Sequence, residues 1–150
     1  TLFAGIASKS AYEALKDSNE FTLGGTYGGG GPSLKLKADH VYFKNECAVA
    51  SVSNTVVIIT KLRRPFHNLK DFTDLKIDLK DFKTLIVKSG YLSPELQSLS
   101  APTFMALTSG AVNQDIKGIE NNNRLQKIYP FQDFNDYSPV VSNGEHLINQ

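Results

Sequence analysis

Hydrophobic residues recur along this chain with two different periods. From Leu2 to Leu15 the apolar positions Leu2, Phe3, Ile6, Ala7, Ala11, Ala14 and Leu15 fall at spacings near three and four, which predicts one face of a helix. Phe21 and Leu23 then alternate with polar neighbours before a glycine-rich stretch, Gly24 to Gly31, closed by Pro32. Leu34, Leu36 and Ala38 alternate with Lys35, Lys37 and Asp39, the period of a half-exposed strand. Val41 and Phe43 carry that strand on, Lys44 and Asn45 turn it, and Cys47 to Val52 returns, predicting an antiparallel hairpin over Leu34 to Val52 toward a sheet edge.

Two runs are apolar without alternation, as expected of strands covered on both faces. They are Val56 to Ile59 and Leu85 to Val87, predicted as central neighbours in one sheet, with Phe104 to Leu107 as a third strand. The crossover between the first two contains Asn68, a candidate helix cap, and a helical stretch through Leu75. After Leu85–Val87 a loop of Lys88, Ser89, Gly90 and Tyr91 leads to Ser93-Pro94-Glu95. There a hydroxyl can cap the first turn, proline suits the first helical position and an acid favours the positive helix end. The predicted fold is therefore α/β: one domain with a mixed sheet, short crossover helices and an antiparallel hairpin. The segment with Asn121 to Asn123, Tyr129-Pro130 and Ser138-Pro139 lacks periodicity and reads as a tail over the domain, with residues 140–150 frayed.

Composition narrows the function classes. In 150 residues, 41% hydrophobic and 21% charged with net charge +1, there is no field to gather nucleic acid or an anionic membrane. No apolar run nears the roughly 20 residues of a membrane helix. The single cysteine, Cys47, sits among Ala48, Val49 and Ala50 and reads as a buried thiol in a reducing, cytoplasmic setting. The chain opens at Thr1 directly in a periodic pattern, which suggests a piece of a longer protein.

Candidate chemistry is sparse. The glycine run has neither the lysine nor the following helix of a phosphate loop, and reads as a flexible or substrate-covering segment. His40, His67 and His146 match no metal-ligand spacing, there is no nucleophile elbow, and Cys47 has no evident base. Arg63 and Arg64 leave the Val56–Ile59 strand, where paired hydrogen bonds to a carboxylate and ties to neighbouring carbonyls are both open to them. Lys88, Ser89 and Tyr91 follow a strand end, where α/β folds place ligands, so Lys88, Ser89, Tyr91 and Arg64 are the candidate substrate or anion-binding residues. The bland reading of the same loops is that they satisfy local carbonyls.

The segments VVIITKLRRPFHNLKDFTDLKID, TLIVKSGYLSPEL and PTFMALTSGAVNQDI, ending in YPFQDFNDYSP, resemble the C-terminal domain of the MlrC-like metallopeptidases, the family named for microcystinase C. The resemblance runs from about Leu2 to Pro139 and is strongest from Val56 onward. Its most specific signals are a strand followed by Arg63-Arg64, the spacing of Phe72, Ile77 and Asp78, and a strand ending in Lys88-Ser89. It implies a zinc-dependent hydrolase in which an upstream domain supplies the Asp, Glu and His ligands. This chain would then hold no catalytic residue and no zinc of its own. Its expected partners are that upstream domain, a peptide-like or amide substrate, and a second copy across a subunit contact, with no nucleic acid or membrane. The competing class is an independent, non-catalytic binding module, favoured if no upstream domain exists.

Overall fold

The computed structural model describes residues 1–25, 31–88, 93–99, 102–106, 115 and 118. The chain divides into two compact units, Thr1–Phe104 and Met105–Gln150. The predicted tail, including residues 140–150, lies outside the described residues.

Thr1–Phe104 carries one α/β domain. Its strands are β1 (Leu2–Ala7), β2 (Glu20–Gly24), β3 (Ser33–Lys37), β4 (His40–Lys44), β5 (Cys47–Val52), β6 (Thr55–Thr60) and β7 (Leu85–Val87); its helices are α1 (Lys9–Asp17), α2 (Leu69–Thr73) and α3 (Pro94–Gln97), with a single 3-10 turn at Leu79–Asp81. A mixed five-stranded sheet runs β4-β5-β6-β1-β7, and β2 and β3 form a separate antiparallel pair. Strands β6, β1 and β7 are mutually parallel, while β4 and β6 each run antiparallel to β5.

Both faces of the sheet are packed, as the period-two geometry of strands requires. On one face Cys47, Val49, Ile58, Leu2 and Ala4 meet Phe66, Phe72, Leu75, Ile77 and Leu96 from the crossovers. On the other, Ala48, Ala50, Val57 and Ile59 meet Ala11, Tyr12 and Leu15 of α1 with Phe21 of β2. Phe66 and Phe72 are fully buried with ring centroids 5.4 Å apart, and burying one such side chain contributes about 1.5–3 kcal/mol.

The first predicted element is corrected. Leu2–Ala7 is a strand, and the helix starts only at Lys9. Gly5, at φ +85, and Ser8, whose hydroxyl accepts the Ala11 N–H at 3.2 Å, explain the division. A glycine disfavours continuing a helix across it, and a capped serine defines where the next one begins. Tyr12 and Leu15 then give α1 its buried stripe. The pairing of β1 with β6 slips between Phe3 and Ile6, a bulge that spans Gly5.

The predicted hairpin is also divided. Leu34 to Lys37 pairs with β2, and only His40 onward pairs with β5. The change of partner occurs at Ala38-Asp39. The Ala38 N–H donates to Asn19 O at 2.7 Å and the Asn19 amide donates to Ala38 O at 3.0 Å, which holds this end of β3 to β2. The Asp39 N–H then donates to Ser51 O at 2.8 Å, and the Asp39 carboxylate accepts the Ser53 N–H at 2.7 Å, which starts the β4–β5 ladder. The β4–β5 turn falls at Asn45 and Glu46, both with positive φ (50 and 58), the mirror-image turn that matches strand twist.

Val56–Ile59 and Leu85–Val87 share the sheet but are not neighbours, because β1 lies between them. Among the described residues Leu85–Val87 is an edge strand, with β4 at the far side of the sheet, and Ile86 is 38% exposed rather than covered. Residues 104–106 are not a strand, and Phe104 is 89% exposed; Leu107 lies outside the described residues.

Candidate functional site

Because β1, β6 and β7 are parallel, their C-terminal ends share one edge of the sheet. That edge receives the Ser8 end of α1, the loop from Lys61 to Asn68, and Lys88. The turn at Asn45-Glu46 comes to the same edge, since Cys47 pairs with Thr60. The Lys61 N–H donates to Glu46 O at 3.1 Å and the Ser8 N–H to Thr60 O at 3.1 Å, tying these loops together.

Lys88 continues the β1 ladder by donating its backbone N–H to Ala4 O at 3.1 Å. Its side chain is exposed and forms no salt bridge with a described residue. A Cβ at Gly5 would make only ordinary contacts, with Phe66 Cδ2 at 3.6 Å and Lys88 O at 3.7 Å, so it is the φ of +85 that calls for glycine there. Ser89 and Tyr91 lie outside the described residues.

Arg64 has a different situation. Its guanidinium donates to Asp71 Oδ1 at 3.1 Å, lies 5.0 Å from the Phe66 ring centroid, and sets Nη1 at 3.8 Å from the buried Cys47 Sγ. The carboxylate it holds therefore belongs to this chain. Asp71 Oδ2 also accepts the N–H groups of His67 at 3.0 Å and Asn68 at 2.9 Å. One aspartate, three residues after the cap of α2, thus fixes the whole Arg64-to-Asn68 loop; the N-x-x-D spacing is the signal that could have found it.

The predicted start of α3 is present. Ser93 caps it, accepting the Leu96 N–H at 3.4 Å, with Pro94 at the first turn. The same hydroxyl donates to His67 O, and Glu95 Oε2 accepts the Leu69 N–H at 2.7 Å, so α3 is stitched to the start of α2. Its four residues leave no long helix to project charge toward Lys88.

Burial pushes the Cys47 thiol up, with the nearby Arg64 charge opposing that shift, which favours the protonated thiol over the nucleophilic thiolate. His40 lies at the opposite sheet edge, in a shallow depression of about 350 Å³ shared with Lys16, Asp17 and Asp39. His67 uses its backbone at the Asp71 loop, and His146 lies outside the described residues. Among the described residues no three or more His, Cys, Asp or Glu side chains are grouped so as to hold a metal ion. At the mouth of the glycine loop, a side chain on Gly24 would come within 2.3 Å of Pro32 O, so glycine is obligatory there; Thr26 to Gly30 lie outside the described residues. No helix among the described residues is long and apolar enough to cross a membrane.

The structure thus defines an α/β domain with a polar, lysine-bearing edge at the ends of its parallel strands. The family described as MlrC C-terminus matches residues 15–123, and the chain belongs to that family. The match stops short of the Leu2-to-Pro139 span suggested by the sequence motifs, leaving β1 outside it. No curated protein and no solved structure matches the chain.

Proposed function

We propose that this domain is the companion part of a zinc-dependent peptidase or amidohydrolase whose metal is held by a separate, upstream domain of the same polypeptide. Its role is to complete the substrate site or the contact between domains through the loop that starts at Lys88, with Ser89 and Tyr91. The observation that carries the reading is membership of the MlrC C-terminal family, matched over residues 15–123. An exposed ammonium with no salt bridge to a described residue, at the end of a parallel strand, suits a peptide carboxylate or an acidic side chain. Arg64 is engaged by Asp71 within its own loop.

The test uses the complete polypeptide. Zinc and amide hydrolysis are expected to require the upstream domain, and Lys88→Met is expected to lower kcat/KM by about tenfold, equivalent to about 1.4 kcal/mol, with melting temperature unchanged. One stoichiometric zinc on the 150-residue chain alone, lost on replacing its histidines, would overturn the division of labour. Unchanged turnover in Lys88→Met would remove the loop from the site.

A further inference from the structure

We propose that the C-terminal edge of the parallel strands is a docking surface for an acidic protein face, seated on Leu62; this rests on the companion-domain reading above. Lys9, Arg63 and Lys88 are exposed at this edge, Lys44 is half-buried beside them, and none of the four forms a salt bridge with a described residue. Lys61 adds a fifth cation, 3.7 Å from Glu13. Among the described residues this is a local excess: Glu13 and Asp71 are engaged by Lys16 and Arg64 at 2.7 and 3.1 Å, Glu95 accepts the Leu69 N–H at 2.7 Å, and Glu46 is left. The opposite edge carries Asp17 and Asp39. Leu62, between Lys61 and Arg63, is 65% exposed.

That combination selects the occupant. Cations alone would suit a small anion or a polyphosphate, but the exposed leucine among them needs an apolar contact that neither of those supplies. A second copy docking the same edge would set these cations against each other. A protein surface carrying carboxylates around an apolar spot satisfies both features, and charge complementarity of this kind sets register and association rate.

Hydrogen exchange at the Leu62 and Arg63 amides, compared between the complete polypeptide and the 150-residue chain, tests this. Exchange at least about tenfold slower in the complete polypeptide is expected, with the protection eroding as salt rises from about 0.05 to 0.5 M, where screening shortens from over 10 Å to a few. The double variant Leu62→Asp, Arg63→Glu, with circular dichroism confirming its fold, should return the rates to those of the isolated chain. Equal rates in the two proteins, or protection that survives the charge reversal, would overturn the surface. So would perturbation of these amides in the isolated chain by inorganic phosphate or duplex DNA at physiological salt, which would make it an anion or nucleic-acid site. A complete polypeptide that binds zinc and hydrolyses amides while Leu62 exchanges freely would sink this surface and leave the companion-domain reading standing.

Discussion

Replacing Asp71 with alanine should destabilise this domain by about 2–3 kcal/mol, far more than its half-exposed ion pair suggests. The carboxylate accepts two backbone N–H groups, from His67 and Asn68 at 3.0 and 2.9 Å, besides the Arg64 guanidinium at 3.1 Å. Losing the capping interaction at the start of α2 costs about 1 kcal/mol, and leaving a second, part-buried N–H without its acceptor costs about 1 kcal/mol more. The ion pair adds less than about 1 kcal/mol, because the Arg64 and Asp71 side chains remain 33% and 21% exposed and solvent screens them. For a chain of this size the loss corresponds to a melting temperature lower by roughly 8–12 °C. Urea unfolding of the wild type, Asp71→Ala, Asp71→Asn and Arg64→Met separates the contributions. Asparagine keeps one acceptor and should recover about half the loss, while Arg64→Met should cost under about 1 kcal/mol. If Asp71→Ala costs less than about 0.5 kcal/mol, or no more than Arg64→Met, the aspartate does not organise the loop and the argument fails.

Lys76→Gly should raise stability by about 0.5–1 kcal/mol in the same unfolding assay. Lys76 sits at φ 62 after α2, where the N–H of Ile77 donates to Phe72 O at 3.1 Å and its own to Thr73 O at 2.9 Å, a helix stop that glycine adopts without strain. Tyr42→Phe should cost about 1 kcal/mol, since the hydroxyl donates to Leu75 O at 2.7 Å; burial raises the Tyr42 pKa, so its ultraviolet titration should come later than that of a free tyrosine. Cys47 should resist thiol reagents until the protein unfolds. Its raised pKa means that the native state holds the proton more tightly. The thiol's contribution is therefore complete below the unfolded thiol's pKa, about 8.5, and is lost as pH rises from there through the folded value. A decline in stability above that pH that persists unchanged in Cys47→Ala would contradict the assignment.

Where local chemistry and packing agree, the elements were legible from the residues. Ser93-Pro94-Glu95 starts a helix as its side chains dictate, and Val56–Ile59 is a strand covered on both faces because Ile58 enters one core and Val57 and Ile59 the other. The misreadings share a cause: a local pattern consistent with two structures, decided by a distant partner. Leu2, Phe3, Ile6 and Ala7 fit a helical face as well as a bulged strand, and the choice falls to pairing with Val56–Thr60 and Leu85–Val87 far along the chain. The alternation of Leu34, Leu36 and Ala38 changes phase at Asp39-His40 before Val41 and Phe43, and Asn19 and Ser51 claim its two halves for different sheets. Tertiary pairing overrides pattern in both places.

The position of β1 then determines what the candidate site can be. Read as a helix, Leu2–Ala7 left β6 and β7 adjacent, with Arg64 and Lys88 on neighbouring strand ends converging on one anion. With β1 between them those strand ends lie roughly 10 Å apart, two inter-strand spacings, and the shared neighbour in the gap is Phe66, which packs against Arg64 on one side and approaches Gly5 on the other. For Arg64 to reach an anion beside Lys88 it would have to leave Asp71 and Phe66, exposing a carboxylate whose other bonds hold the loop in place. Lys88 forms no such tie with a described residue. The cations at this edge that form no salt bridge with a described residue are Lys88 and, across β1 and β6, Lys9 and Arg63, with Lys44 half-buried beyond β5, an arrangement spread along an edge and better matched to a protein surface than to a single carboxylate.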